Sequence, residues 1–154
     1  KGTMKKMAPN KFRQEQDMMG QKMIQVFDGE QGYMMQGGNK TPLPPQAIAQ
    51  FKESKIIEAF GFDASKYTSV EETDIDGVKY YVLAENGNKS YFNKETGLLY
   101  KSITQQAEMT ILNYVEVDGM KFPSKMKTLA QGQNLEMEFS NIEVNKNVTE
   151  ADFK

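Results

Sequence analysis

The sequence predicts a mainly β fold (α+β), in which a half-closed antiparallel sheet, or incomplete barrel, forms a meander wrapped around a central helical insertion. Three observations indicate this fold. Short β-prone runs recur along the chain, tight-turn dipeptides separate them, and a single proline-bearing interval interrupts them. At 154 residues, the chain is long enough for one domain with a substantial core.

The first strands are expected at residues 11–17, 21–27 and 32–36. Asp28-Gly29 separates the second from the third, and Asp-Gly or Asn-Gly dipeptides tolerate the positive φ of tight hairpin turns. Similar turns later in the chain predict an up-and-down antiparallel meander, since short connections join antiparallel neighbours. These turns are Asp76-Gly77, Asn86-Gly87, residues 93–97 and Asp118-Gly119, and the strands around them are expected at residues 68–74, 78–84, 89–92, 98–103, 109–117, 120–129 and 135–144.

Residues 37–65 form the interruption, a proline-rich loop followed by a helical insertion. Pro45 or Gln46 is expected to start a helix that reaches Phe60 and ends at Gly61. Ile48 and Ile57 lie on nearly opposite sides of such a helix. The segment is therefore expected to form either two short helices or one helix packed on both sides.

The strand pattern suggests a hollow that is lined by apolar side chains. Met109, Ile111, Val115 and Val117 share one face of their strand while Leu112 and Tyr114 occupy the other, so the strand is apolar on both sides. Either a covering helix or a ligand must meet the second face. Methionine, which occurs eleven times, adapts to variable apolar partners, although it also fills ordinary cores. The residues selected for the hollow are Met34, Met35, Ile111, Met137 and Phe139.

Composition argues against most catalytic chemistry. The chain has no His and no Cys, so it lacks the usual proton shuttle, thiol nucleophile and thiolate zinc ligand. Its net charge of -2 and interspersed lysines give no basic stripe for nucleic acid, and no apolar run is long enough for a transmembrane segment. The four carboxylates between Glu71 and Asp76 lack calcium-loop spacing. We therefore expect no enzyme, no cofactor, no metal site and no nucleic-acid partner.

Several short motifs follow one another along the chain: a Pro-x-x-Phe segment, an Asp-Gly turn before an aromatic strand, and a Tyr-x-x-x-Asp-Gly-x-Lys-Phe-Pro hairpin. In this order the motifs resemble those of the LolA/LolB superfamily of outer-membrane lipoprotein-sorting proteins and lipoprotein carriers. The matching residues are Pro9 to Arg13, Phe27 to Gly29, Gly32-Tyr33, Asn113 to Pro123 and Asn145 to Phe153. Two positions depart from the family pattern: Ala8 replaces a common arginine and Tyr33 replaces a common tryptophan.

The resemblance implies a domain in the periplasm or cell envelope of a Gram-negative bacterium, with an apolar ligand or acylated protein as its partner. Residues 1–154 would form a single LolA-like β domain that lacks the family's N-terminal helix and first strands. A lipid or lipoprotein acyl chain would bind on the concave face of the curved sheet. The alternative is a structural or interaction module attached to a larger periplasmic protein, such as an insulinase-type peptidase-like chain, with the remainder of that chain as its partner.

Overall fold

A computed structural model describes residues 2–18, 20–54 and 63–154 of the chain. These residues divide into two compact units. The first comprises the described residues up to position 54 together with residues 145–154, and the second comprises residues 63–144. Each unit is built on its own antiparallel sheet.

The sheet of the first unit has five strands, which lie side by side in the order of the chain. Each pairs with the next in antiparallel fashion, and a helix, α1 (Pro45–Glu53), follows the last strand. Pro45 begins this helix because its fixed φ suits the first turn, where its missing N–H is not needed. The strands are β1 (Gly2–Met7), β2 (Lys11–Met18), β3 (Gln21–Phe27), β4 (Gly32–Gln36) and β5 (Asn39–Pro42).

Both faces of this sheet are partly covered. Ile24 and Val26 of β3 form a buried cluster with Phe153, which belongs to a 3-10 helix at Glu150–Phe153. Phe27 points to the opposite face, where its ring packs with Phe12 of β2 and Phe51 of α1. The C-terminal segment therefore covers one face of the sheet, while α1 covers part of the other.

Polar contacts hold the C-terminal segment against the first sheet. The Lys5 and Lys11 ammonium groups bind the carboxylates of Asp152 and Glu150. The hydroxyl of Tyr33 donates a hydrogen bond to the backbone carbonyl of Lys154 over 3.0 Å. The last residues of the sequence thus belong structurally with the first strands.

The sheet of the second unit has seven strands, again in an unbroken sequential meander. Asp76-Gly77, Asn86-Gly87 and Asp118-Gly119 all have positive φ at both positions, as type I′ hairpin turns require. Gln131-Gly132 forms a further turn with the same property. The strands are β6 (Ser69–Ile75), β7 (Val78–Glu85), β8 (Asn88–Asn93), β9 (Leu99–Ile103), β10 (Ala107–Val117), β11 (Met120–Ala130) and β12 (Gln133–Glu138), and a 3-10 helix at Ala64–Lys66 precedes them.

The predicted fold class is confirmed: the described chain is mostly antiparallel β, with a helical insertion after the fifth strand. The strands form two sheets, neither of which closes into a barrel. That residues 1–154 form a single LolA-like domain that lacks the N-terminal helix and first strands found in LolA-like proteins stays a prediction.

Several boundaries differ from the sequence predictions. Strand β1 was not predicted, and β5 lies inside the interval 37–65 that was assigned to loop and helix. The last strand, expected at residues 135–144, ends at Glu138. Helix α1 ends at Glu53, and the predicted continuation over residues 55–60 lies outside the described residues.

Candidate functional site

Met34 and Met35, the two candidates in the first unit, lie on opposite faces of β4. Met35 packs against the buried cluster of Ile24, Val26 and Phe153 and is itself half-buried. Met34 is 36% exposed and points away from that cluster. Strand alternation therefore gives these neighbours different surroundings: Met35 is half-buried beside the cluster, and Met34 is the more exposed of the two.

Met34 lines an open groove of about 600 Å³ beside the β4–β5 hairpin. The groove combines apolar side chains with amide and hydroxyl groups, and two of its glutamines, Gln21 and Gln36, lie 3.4 Å apart at their amide nitrogen and oxygen atoms. Pockets that hold apolar ligands are lined mainly by apolar and aromatic groups. The remaining lining residues are Gly37, Asn39, Thr41, Pro42, Leu43 and Pro44.

Ile111, Met137 and Phe139, the three candidates in the second unit, are brought together by the pairing of β10, β11 and β12. Ile111 lies directly opposite Met126, and Met126 lies directly opposite Met137. These three residues form what we call the apolar row. Phe139 follows Met137 on the same face, and its N–H donates a hydrogen bond to the Ser124 carbonyl over 2.8 Å.

The exposed fraction of the side chains increases across the apolar row, from β10 to β12. Ile111, on β10, is the buried member of the row, at 6% exposed. Met126, Met137 and Phe139 are each half-buried. Next to them Leu135, on the same face of β12, is 61% exposed. Large apolar side chains are thus available on one continuous face, as a site for an apolar group requires.

Charged side chains of β11 and β12 alternate with the row and point to the opposite face of the sheet. Lys125 pairs in register with Glu138, and Lys127 pairs with Glu136. The Lys125 ammonium lies 3.9 Å from a carboxylate oxygen of Glu136. Alternation therefore keeps the ionic groups of the two strands away from the apolar row, and they pair with each other across the strands on the opposite face.

A pair of compensating bulges lies beside the row. The register between β10 and β11 shifts around Asn113 and returns to its previous value at Tyr114. Ser124 is buried at this irregularity, and its hydroxyl accepts a hydrogen bond from the Asn113 side-chain amide over 2.9 Å. Bulges re-aim side chains and bend strands, so this feature sets the local curvature next to Ile111 and Phe139.

The sequence prediction did not select Met126 or Met109 as site residues. Met126 occupies the centre of the apolar row, and Met109 precedes Ile111 by two positions on the same face of β10. Alternation along the strand already places Met109 beside Ile111, and the positions of the Asp118-Gly119 and Gln131-Gly132 turns would have revealed Met126, because a two-residue hairpin turn fixes the register of its strands.

No helix in the described part of the chain is both long enough and apolar enough to span a membrane. Within residues 2–18, 20–54 and 63–154, no group of three His, Cys, Asp or Glu side chains is placed to hold a metal ion. Of the carboxylates considered for calcium, Glu72 binds the Lys94 ammonium over 2.6 Å. Asp74 accepts a hydrogen bond from the Gly77 amide over 2.8 Å.

Comparison with known proteins gives a structural match only. No protein-family model and no curated protein sequence matches the chain. Among solved structures, it is similar to a DUF1329 family protein from Desulfovibrio piger, with a TM-score of 0.62 and 12% identity. The match covers 99% of this chain and 79% of the other. The likeness is one of fold.

Proposed function

We propose that this chain is a non-catalytic cell-envelope domain that binds a lipid, a lipoprotein acyl chain or another apolar group. The observation that carries the proposal is the apolar row of Ile111, Met126 and Met137, with Phe139 beside it. Burial of apolar area is the driving force, worth roughly 25 cal/mol per Å², and it needs no specific polar contact. Methionine suits this role because its flexible thioether adapts to a mobile chain.

The sequence resemblance to lipoprotein carriers supports both the ligand class and the location. In that family the ligand is an acyl chain held on a curved sheet, and the protein works in the periplasm. The DUF1329 family structure shares the fold over nearly the whole chain, at 12% identity. The chain's lack of His and Cys further favours binding over catalysis.

An interaction module within a larger periplasmic protein is the second candidate function. Strands β6 and β12 are the outer strands of the described seven-stranded sheet. Each carries a well-exposed aliphatic side chain, Val70 and Leu135 respectively. An outer strand with apolar side chains can accept a further strand from a partner, such as another part of a longer chain.

The test of the first candidate is displacement of a fluorescent fatty-acid probe from the purified chain, with native mass spectrometry to count bound acyl chains. Met137→Lys places a charge in the apolar row. Losing the burial of one such side chain costs about 1.5–3 kcal/mol, which weakens binding about 10- to 150-fold. Met120→Lys is the matched control because Met120 lies at the far end of β11, in the hairpin with Val117.

Saturable binding that Met137→Lys weakens and Met120→Lys does not would support an apolar site at this row. Absence of binding by the folded chain, or equal weakening by both variants, would refute it. Failure of the carrier proposal would leave the interaction module, which predicts that Leu135→Lys disrupts association with the remaining chain of a longer protein.

A further inference from the structure

We propose that the groove beside the β4–β5 hairpin is a binding site for a neutral saccharide. Its volume of about 600 Å³ is within the range of about 300–1,000 Å³ that is usual for ligand sites. None of its lining residues carries a charge, although 26% of the residues in the chain are charged. We call it the amide groove after its polar side chains, which are Gln21, Gln36, Asn39 and Thr41.

Strand pairing brings the polar side chains to one face of the first sheet. Gln36 lies directly opposite Asn39, and Met34 lies directly opposite Thr41, so these four residues share a face across β4 and β5. Gln21 of β3 reaches the same groove, where its side-chain oxygen accepts a hydrogen bond from the Gln36 amide over 3.4 Å. The thioether of Met34 therefore lies among amide and hydroxyl groups.

These polar groups have unused hydrogen-bonding capacity. A side-chain amide offers two N–H donors and an oxygen that accepts two hydrogen bonds. The contact between Gln21 and Gln36 uses only one donor and one acceptor. Within the described residues, the side chains of Asn39 and Thr41 have no hydrogen-bond partner. Sugar hydroxyls both donate and accept, so adjacent hydroxyls on one ring match this mixture of groups.

The apolar part of the lining is Pro42, Leu43 and Pro44, and its position is fixed. The Leu43 side chain is 5% exposed, and its N–H donates a hydrogen bond to the Gly32 carbonyl over 2.9 Å. The prolines on either side have a fixed φ. An ordered wall lowers the entropic cost of binding, and the C–H groups of a sugar ring can pack on it and on Met34.

Two neighbouring lysines point away from the groove. Lys40 follows Asn39 on β5, and its ammonium lies 3.7 Å from the centre of the Tyr33 ring on the opposite face. Lys22 binds the Glu15 carboxylate over 2.6 Å. A carboxylate or phosphate in the groove would lose its hydration without gaining a counter-charge, which is costly. Charge complementarity therefore selects an uncharged ligand.

Two other uncharged ligand classes fit the groove less well. An extended peptide commonly binds a sheet by pairing with an outer strand. The outer strand here is β5, which is four residues long and ends at Pro42, a residue with no N–H to donate. An acyl chain would cover the amides without forming hydrogen bonds to them, which carries a desolvation penalty.

The experiment titrates the full chain with neutral oligosaccharides of glucose, mannose, galactose and N-acetylglucosamine, and it follows the side-chain amide signals by NMR. We expect at least one of these sugars to shift the signals of Gln21, Gln36 and Asn39 saturably, with a Kd of about 1 mM or below. An oligomer of galacturonic acid tests the requirement for neutrality and is expected not to bind. The amide groove and the apolar row use different residues in different units, so the two proposals fail separately.

Gln36→Met removes an amide and keeps a side chain of similar length. The loss of one hydrogen bond weakens binding about 2- to 12-fold, and we expect the double variant with Gln21→Met to lose detectable binding. Gln31→Met is the matched control, because Gln31 is exposed in the turn before β4 and does not line the groove.

Loss of binding in the double variant, with full binding by Gln31→Met, would support the saccharide site. Four results would overturn it: no shift of these amide signals by any of the neutral sugars, undiminished binding by the folded double variant, equal weakening by the control, or equal binding of the galacturonate. A fatty acid that shifts the same signals would assign the groove to an apolar ligand instead.

Discussion

Replacing Phe153 with alanine tests whether the C-terminal segment is part of the first unit's core. Phe153 is 2% exposed and lies in the 3-10 helix at Glu150–Phe153. Its ring belongs to the cluster with Ile24 and Val26, and Met35 packs against that cluster. The substitution removes the ring that covers this face of the sheet.

The expected loss of unfolding free energy follows from the burial. Phe→Ala substitutions in cores cost about 3–5 kcal/mol, and transfer of the side chain alone accounts for about 1.5–3 kcal/mol. Phe153 lies in a 3-10 helix of four residues, which can move away from the sheet instead of leaving a cavity, so the lower part of the range applies. We expect a loss of about 3 kcal/mol, a large share of the 5–15 kcal/mol that is typical of folded domains.

Urea unfolding, followed by circular dichroism, measures this loss through linear extrapolation. Hydrogen exchange of peptides from β3 (Gln21–Phe27) reports on the first unit separately. Lys154→Ala is the control, because Lys154 is exposed and its contact with Tyr33 uses the backbone carbonyl. A loss below about 1 kcal/mol, with unchanged exchange in β3, would refute the role of this segment in the core.

Two further perturbations test other parts of the first unit. Hydrogen bonds, first from Lys5 and then from the Thr149 backbone, lower the pKa of Asp152 from 3.8 to about 2. The Asp152 carboxylate therefore stabilises the fold fully above its ordinary pKa of 3.8, and this stabilisation is lost as the pH falls through about 2. Asp152→Asn should therefore lower stability at neutral pH and flatten acid unfolding across that interval in a circular dichroism titration; an unchanged acid profile would contradict this. Phe51→Ala removes the ring of α1 that lies 4.8 Å from that of Phe12, and it should cost about 2–3 kcal/mol in urea unfolding. Phe51→Leu is expected to retain most of that stability, and equal losses in the two variants would show that the aromatic contact is not the cause.

The sequence predicted the hairpins because a tight turn is determined mainly by the two residues that form it. Asp76-Gly77, Asn86-Gly87 and Asp118-Gly119 have positive φ in the structure, and each joins two adjacent antiparallel strands. Residues of these types tolerate the conformation that a type I′ turn requires, whatever the rest of the chain does. The strand alternation that groups Met137 with Phe139 is local in the same way.

The candidate site was predictable only in part. Alternation showed that Ile111 and Met137 each share a face with their neighbours on one strand, but it could not show that Met126 connects them. That connection depends on the register of two hairpins and on the return of the register after the bulges at Asn113. Met34 and Met35 were grouped as one site, whereas the structure places them on opposite faces of their strand, with Met35 against the buried cluster and Met34 in an open groove.

The sequence by itself determined the antiparallel meander, most of its turns and the relative faces of its side chains, since φ preferences and period-two alternation act between near neighbours. Only the tertiary structure decided that the strands divide into two sheets and that β1 exists at all. It also decided that Phe153 fills the core beside Ile24, more than a hundred residues earlier in the chain. The free energy of burial depends on which apolar surfaces come into contact in the folded chain, and the spacing of residues along the sequence does not reveal those contacts.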